Sequence, residues 1–196
     1  MGILKSNLSR LPRLGPRPWR HAALGLAFLL LVALPGTGSS ETSLGEYSLK
    51  AAFIYNFSKF VEWPESVFRG KRDFCIATLG RSPLDRELAA LSGKVVQGRS
   101  IVFRKVSSPD DATQCQVLVI SRSELAKLEE ILDTLRDLPV LTIAEGDDFC
   151  KKGGMLSLEK ENGKIVFDVN FRETQRAKLK PSSQLLKLAR KVYGRP

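Results

Sequence analysis

The first strong pattern along the chain is a stretch in which apolar residues recur at every third or fourth position. Between Leu44 and Val61 this spacing predicts an amphipathic helix, and Ser43 and Glu46 have the spacing of a capping box at its start. The helix must end before Pro64, because the proline ring disfavours helical geometry at the residue before it. We therefore expect one long helix with a buried face.

Short apolar runs then alternate with amphipathic stretches through the middle of the chain. Runs that lack charged residues and are bounded by turn signals are typical of strands buried on both faces of a parallel sheet. The stretches between them carry apolar residues at helical spacing. We expect strands over 74–79, 100–106, 116–120 and 138–143, with helices over 82–91 and 124–135.

The last part of the chain changes from this alternation to a hairpin. Segments 153–158 and 164–169 are joined across Asn162 and Gly163, which supply the two positive-φ positions of a type I′ turn. Helical spacing over 182–192 predicts a last helix. The predicted fold class is α/β: a single three-layer domain with a mostly parallel mixed sheet, helices on both faces, and a C-terminal β-hairpin plus helix.

Residues 1–40 have the pattern of a signal peptide. Five basic residues and no acid precede an apolar run from Ala22 to Leu34, and small residues follow the break at Pro35. A retained membrane anchor is the alternative, but the run is shorter than the roughly 20 residues that a spanning helix needs. We expect cleavage near Ser39 or Ser40, export from the cytoplasm, and a domain over 41–196.

Export changes what the charge of the chain implies. The full sequence carries a formal charge of +10, which invites a nucleic-acid interpretation. Residues 41–196 keep 26 basic and 21 acidic residues, a net +5. The basic groups at Arg69–Arg72 and Lys151–Lys152 are short and lack interleaved aromatic residues. A solvated surface is the better interpretation, and we expect no nucleic-acid partner.

The single histidine, His21, lies within the predicted signal peptide. Residues 41–196 therefore lack the side chain used in most acid–base catalysis, in serine and cysteine triads, and in the commonest zinc sites. The tight acidic pairs fall in predicted loops or turns, and no phosphate-binding glycine motif is present. We expect no enzyme activity, no metal and no cofactor.

Three cysteines are present in a chain that we expect to enter an oxidising compartment. Cys75 begins one predicted strand and Cys115 directly precedes another, so their ends lie within bridging distance if those strands are neighbours. We predict a Cys75–Cys115 disulfide. Cys150 is then unpaired, and two interpretations stay open: a buried or glutathione-capped thiol, or a redox-responsive or intermolecular thiol.

Four blocks of the sequence together resemble the YfiR/HmsC-like family of periplasmic proteins. They are KAAFIYNFSKFVEWP at 50–64, CQVLVISRSE at 115–124, PVLTIAEGDDFCKKGGMLSL at 139–158 and FDVNFRETQRAKLKPSSQLLKLARKV at 167–192. The resemblance implies a compact α/β domain that can form a homodimer. It implies a non-catalytic repressor that binds the periplasmic domain of an inner-membrane diguanylate cyclase and lowers cyclic di-GMP synthesis and biofilm formation. It also implies release linked to an outer-membrane lipoprotein.

The resemblance also bears on individual residues. It supports the Cys75–Cys115 bridge, and it implies a second bridge in some relatives that Cys150 cannot form, because Ser157 stands where a nearby cysteine would be. It places Asp168 and Asn170 in an exposed patch after the hairpin, where we expect partner contacts. Trp63 belongs to a dense group of aromatic residues, part of which either packs under the loop after Trp63 or faces a partner, and we count Trp63 among the expected partner contacts. The group consists of Phe53, Tyr55, Phe57, Phe60, Trp63 and Phe68.

A second class of function stays open at this stage. The same features suit a periplasmic module that binds a small ligand or that serves a sensor kinase. A membrane cyclase recovered with the protein would favour the repressor, whereas a tightly bound small molecule would favour the module.

Overall fold

The long first helix, α1, spans Ser40–Phe60 and ends before Pro64, as predicted. It begins three residues earlier than the capping-box spacing at Ser43 indicated. Ala51, Ile54 and Phe57 are buried on its inner face, and the ring of Phe57 lies 4.9 Å from that of Phe167 on the sheet. The apolar spacing read from the sequence is thus the face that packs on the sheet.

The structure is a computed structural model that describes residues 40–194. The predicted signal peptide, apart from its last residue, lies outside the described residues. Within that part of the chain, no helix combines the length and hydropathy needed to cross a bilayer.

An eight-stranded sheet forms the centre of the domain. Its strands are β2 Asp73–Leu79, β3 Val95–Val96, β4 Arg99–Val106, β5 Val117–Ile120, β6 Leu141–Glu145, β7 Leu156–Glu161, β8 Lys164–Asn170 and β10 Lys191–Tyr193. They lie in the order β10-β8-β7-β6-β5-β2-β4-β3, and neighbouring strands are parallel except at β7–β8 and β3–β4, so the prediction of a mostly parallel mixed sheet is confirmed. A second, two-stranded sheet pairs β1 Val61–Glu62 with β9 Lys180–Pro181.

Separate apolar cores lie on the two faces of the large sheet. On β2, Phe74 and Ile76 enter the core under α1, whereas Cys75 and Ala77 enter the core on the opposite face. The first face is covered by α1, α2 (Leu84–Ala89) and α5 (Ser183–Leu188), and the second by α3 (Leu128–Leu135). The predicted three-layer arrangement is confirmed.

The predicted hairpin is also confirmed. Strands β7 and β8 pair antiparallel, and Asn162 and Gly163 between them have φ of 50° and 77°, as a type I′ turn requires. After β8, Phe171–Arg176 forms a short helix, α4, that the sequence pattern did not predict.

The prediction of a last helix over 182–192 is wrong in its second half. Helix α5 ends at Leu188, and the chain becomes extended at Ala189 and forms β10, parallel to β8. The backbone N–H of Arg190 donates to the carbonyl of Phe167, 2.8 Å away. Pairing with a distant strand therefore overrides the local helical spacing. The predicted helix over 124–135 is also shorter than expected, because Arg122–Lys127 forms a 3₁₀ helix and α3 begins only at Leu128.

Candidate functional site

A buried ion pair ties the last strand to the hairpin. Asp168 on β8 has no exposed surface, and both of its carboxylate oxygens accept hydrogen bonds from Arg190, each at 2.9 Å. Paired donors of this kind fix the guanidinium in one orientation. Hydrogen bonds to Asp168 and then to Asp147 raise the pKa of Arg190, so the arginine stays charged.

The outer side of Arg190 reaches the protein surface. Its side chain is 20% exposed, and one Nη atom lies 2.6 Å from the exposed carboxylate of Asp147. Arg190 thus connects a fully buried acid to an acid in the loop of residues 146–155 that joins β6 to β7. The sequence pattern missed this role, because Arg190 fell inside a predicted helix.

Asn170 joins the same loop to the end of β8. Its side-chain N–H donates to the carbonyl of Cys150 at 2.8 Å, while its side-chain oxygen accepts from the backbone N–H of Glu173 at 3.2 Å. The second bond caps α4 at its N-terminus. Asn170 therefore holds the loop and starts the helix with one side chain.

Cys150 is enclosed between this loop and the sheet, with 1% of its surface exposed. Its thiol lies 3.6 Å from the carbonyl of Asp168 and 3.7 Å from that of Met155. Burial raises the pKa of Cys150 to about 12. A thiol that is buried and protonated at neutral pH reacts slowly, which favours the buried-thiol interpretation over a redox-responsive one. Cys150 and Ser157 are indeed neighbours, as the resemblance implied.

We call Asp147, Cys150, Asp168, Asn170 and Arg190 the polar cluster. The expectation that Asp168 and Asn170 form an exposed patch is wrong, since Asn170 is only 3% exposed. The physical reason is β10, which makes β8 an interior strand of the sheet and places Arg190 over Asp168. Their role in binding a partner remains a prediction.

Trp63 lies far from the polar cluster along the chain and is also buried. Its ring packs edge-on against Phe74 at 5.2 Å between centroids, and 7% of its surface is exposed. Phe57 and Phe68 are buried as well, so most of the aromatic group packs in the core instead of facing solvent. A direct contact between Trp63 and a partner stays untested.

The predicted disulfide is present. Cys75 on β2 and Cys115, just before β5, are bonded, with their Cα atoms 4.6 Å apart. Gln116 holds the same junction, because its side-chain oxygen accepts from the backbone N–H of Cys75 at 2.7 Å. The bridge forms because β2 and β5 are neighbours in the sheet, which was the condition for the prediction.

Within residues 40–194, no group of three or more His, Cys, Asp or Glu side chains is arranged to hold a metal ion. A family model described as YfiR/HmsC-like matches residues 47–190. The chain belongs to the YfiR/HmsC-like family. This is a family of periplasmic regulators, and the matched range includes the disulfide and the polar cluster.

Solved structures show a distant likeness to this family member. A conserved domain protein from Vibrio cholerae O1 biovar El Tor superposes with a TM-score of 0.48 at 9% identity, covering 74% of this chain and 60% of that one. An ABC domain from Streptococcus pneumonia in complex with L-Trp superposes with a TM-score of 0.44 at 9% identity, covering 61% and 55%. The chain thus spans well under two thirds of the length of both.

Proposed function

We propose that this protein is a non-catalytic repressor that binds the periplasmic domain of an inner-membrane diguanylate cyclase. Binding would lower cyclic di-GMP synthesis and biofilm formation. The observation that carries the proposal is the family match over residues 47–190. It spans every strand of the large sheet except β10, so it concerns nearly the whole fold and not a short motif.

The compartment follows from the same proposal. Residues 1–40 would be removed as a signal peptide, and 41–196 would act in the periplasm. The Cys75–Cys115 disulfide supports this assignment, because such bonds form and persist in oxidising compartments.

A binding role agrees with the chemistry of the side chains. Residues 41–196 contain no histidine, and the thiol of Cys150 is buried with its pKa raised to about 12. This range therefore has no histidine to act as a general base, and Cys150 does not supply a thiolate nucleophile at neutral pH.

The polar cluster supports a location for the partner surface. Asp168 and Asn170 are buried, so they would act by positioning the surface above them instead of touching the partner. That surface is the loop of residues 146–155 with its exposed Asp147 and Lys151, together with the half-exposed strand β10. Trp63 would act in the same indirect way, by holding the chain that leaves α1.

Repression across a membrane requires a difference in affinity. A periplasmic protein changes a cytoplasmic active site only if it binds the inactive conformation of the cyclase more tightly than the active one. An outer-membrane lipoprotein that binds this protein would compete for it and release the cyclase. Two copies in a homodimer would fit a dimeric cyclase.

The test is capture of the cyclase from membranes of the producing cell. The protein carrying a C-terminal affinity tag is expressed in place of the untagged chain, the membranes are solubilised, and the bound proteins are identified by mass spectrometry. We expect a membrane protein with a cytoplasmic diguanylate cyclase domain. Recovery of a sensor kinase, or of no such cyclase, would contradict the proposal.

Surface variants then test the location. Asp147→Ala with Lys151→Ala is expected to reduce recovery of the cyclase without changing the unfolding temperature, because both side chains are exposed. Lys127→Ala with Glu130→Ala, exposed at and beside α3, is the matched control and should leave recovery unchanged. Equal recovery of the cyclase with both pairs of substitutions would show that the surface above the polar cluster does not contact the partner.

A further inference from the structure

A crevice lies at the carboxyl ends of β2 and β5. The chain leaves β2 toward α2 on one face of the sheet and leaves β5 toward α3 on the other face. In open α/β sheets, this divergence of connections marks the place where ligands bind. Here it opens a cavity of about 380 Å³.

The crevice has an apolar floor and a polar rim. Ile54, Val119 and Ile143 come from the core under α1 and line its base, whereas Arg81, Ser121 and Arg122 line its mouth. The two rim loops are packed together, because a Cβ atom at Gly80 would lie 2.6 Å from the hydroxyl of Ser123. Gly80 has a φ of +84°, so both its conformation and its surroundings require glycine.

A buried lysine pairs with two of the carboxylates that line the crevice. Lys50 of α1 is 3% exposed, and its ammonium lies 2.6 Å from Glu46 and 3.0 Å from Glu145. The other oxygen of Glu46 pairs with Lys160 at 2.8 Å, and that of Glu145 with Arg122 at 3.3 Å. Burial opposes charge on Lys50, but the hydrogen bonds to Glu46 and Glu145 outweigh it and raise its pKa. Hydrogen bonds to Lys160 and, to a smaller extent, to Lys50 lower the pKa of Glu46.

Glu46 and Glu145 therefore already have cationic partners, whereas several hydrogen-bond donors around the crevice have no partner. Arg81 makes no ion pair with any residue in the described range, and Arg122 uses only its Nε atom. Ser121 is one of the residues that line the crevice, and it is 96% buried. Its hydroxyl has no hydrogen-bond partner among residues 40–194.

We propose that this crevice binds a small organic anion. Its carboxylate or phosphate group would accept hydrogen bonds from Ser121, Arg81 and Arg122, and its apolar body would lie on Ile54, Val119 and Ile143. The bound anion would bridge the loops after β2 and β5 and would lie against α1. The inference is independent of the proposed repressor function, since it rests on this crevice alone.

The experiment follows the backbone amide resonances of Gly80, Arg81, Ser121 and Arg122 in the protein recovered from cells with its disulfide intact. The probes are benzoate, phenyl phosphate and, as a cationic control, benzylamine. We expect at least one anion to shift these resonances saturably, with a dissociation constant of about 1 mM or tighter, and benzylamine to have no such effect. Absence of saturable shifts up to about 10 mM, shifts centred elsewhere, or equal binding of benzylamine would overturn the proposal.

Variants test the named donors. Arg81→Ala with Arg122→Ala should weaken binding of the anion about tenfold or more, whereas the control Arg86→Ala with Arg172→Ala, also exposed, should not. Ser121→Ala should weaken binding several-fold while leaving the unfolding temperature unchanged or higher, because it removes a buried hydroxyl that lacks a partner. Binding unchanged both in Arg81→Ala with Arg122→Ala and in Ser121→Ala would show that the anion does not use this site.

Discussion

Two loops are tied to the same sheet by different chemistry. The segment before β5 is bonded covalently to β2 through Cys75 and Cys115. The loop of residues 146–155 is held to β8 by hydrogen bonds from Asn170 and, through Asp147, by Arg190, which also pairs with Asp168 on β8. This loop contains a cysteine of its own, Cys150, which is not bonded to another cysteine. The disulfide depends on the redox state of the compartment and is indifferent to charge, whereas the polar cluster depends on charge and contains a protonated thiol. The comparison indicates that reduction and loss of charge destabilise different parts of the domain.

The largest expected effect comes from replacing Arg190, the more exposed partner of the Asp168–Arg190 ion pair. Arg190→Met leaves the fully buried carboxylate of Asp168 without its partner, which costs about 3–5 kcal/mol of unfolding free energy. Arg172→Met, an exposed arginine in α4, is the control and should cost less than about 0.5 kcal/mol. Unfolding in urea measures both.

The double variant sharpens this result. Adding Asp168→Asn to Arg190→Met removes the buried charge and should recover part of the lost stability. A double variant that is no more stable than Arg190→Met would mean that the cost lies in packing and not in the unpaired carboxylate.

The second prediction concerns the covalent tie. Replacing Cys75 and Cys115 with serine opens a loop with a sequence separation of 40 residues and should lower the unfolding free energy by about 3–4 kcal/mol, since the bridge restricts the unfolded chain. Wild-type protein unfolded in the presence of a reducing agent should show a similar loss. If reduction left the unfolding midpoint in urea unchanged, the disulfide would not contribute to stability as described.

The third prediction turns the polar cluster into a second covalent tie. Ser157→Cys should form a disulfide with Cys150, because these side chains are neighbours, and the added bridge should contribute about 2 kcal/mol. Thiol counting after denaturation should find one free thiol in the wild type and none in the variant. Two free thiols in the oxidised variant would show that the geometry does not permit the bond.

The smallest effect is a dependence of stability on alkaline pH. Burial raises the pKa of Cys150 from about 9 to about 12, so the unfolded chain loses this proton at lower pH than the folded one. Between these values the thiolate favours unfolding, and stability falls with rising pH by up to about 1.4 kcal/mol per pH unit.

Cys150→Ala should remove this contribution. The measurement is the difference in unfolding free energy between wild type and variant at pH 8 and pH 10. The wild type should lose more stability than the variant over this interval. Equal losses would mean that Cys150 ionises as readily in the folded protein as in the unfolded chain.

The sequence predicted the features that depend on local spacing and on one neighbour relation. The Cys75–Cys115 bridge needed only that two apolar strands be adjacent, and the hairpin needed only Asn162 and Gly163. The three-layer arrangement followed in the same way from apolar strands that alternate with amphipathic helices.

Features that depend on distant pairing were missed. Strand β10 forms because Arg190 donates hydrogen bonds to the carbonyl of Phe167 and to the carboxylate of Asp168. No local pattern in the sequence indicates these contacts. The expectation that Asp168 is exposed was wrong for this reason. The burial of Lys50 also depends on a contact between distant parts of the chain. This lysine is buried because Glu46, one turn away, and Glu145, on a different strand, both reach its ammonium.

The cellular level of cyclic di-GMP is the most direct measure of the proposed repression of a diguanylate cyclase. The measurement compares the producing strain, a strain lacking the gene, and that strain complemented with the full-length chain or with a chain lacking residues 1–40. The account predicts that cyclic di-GMP rises on deletion, returns to its original level with the full-length chain, and stays high when export is prevented. Unchanged cyclic di-GMP on deletion would contradict it.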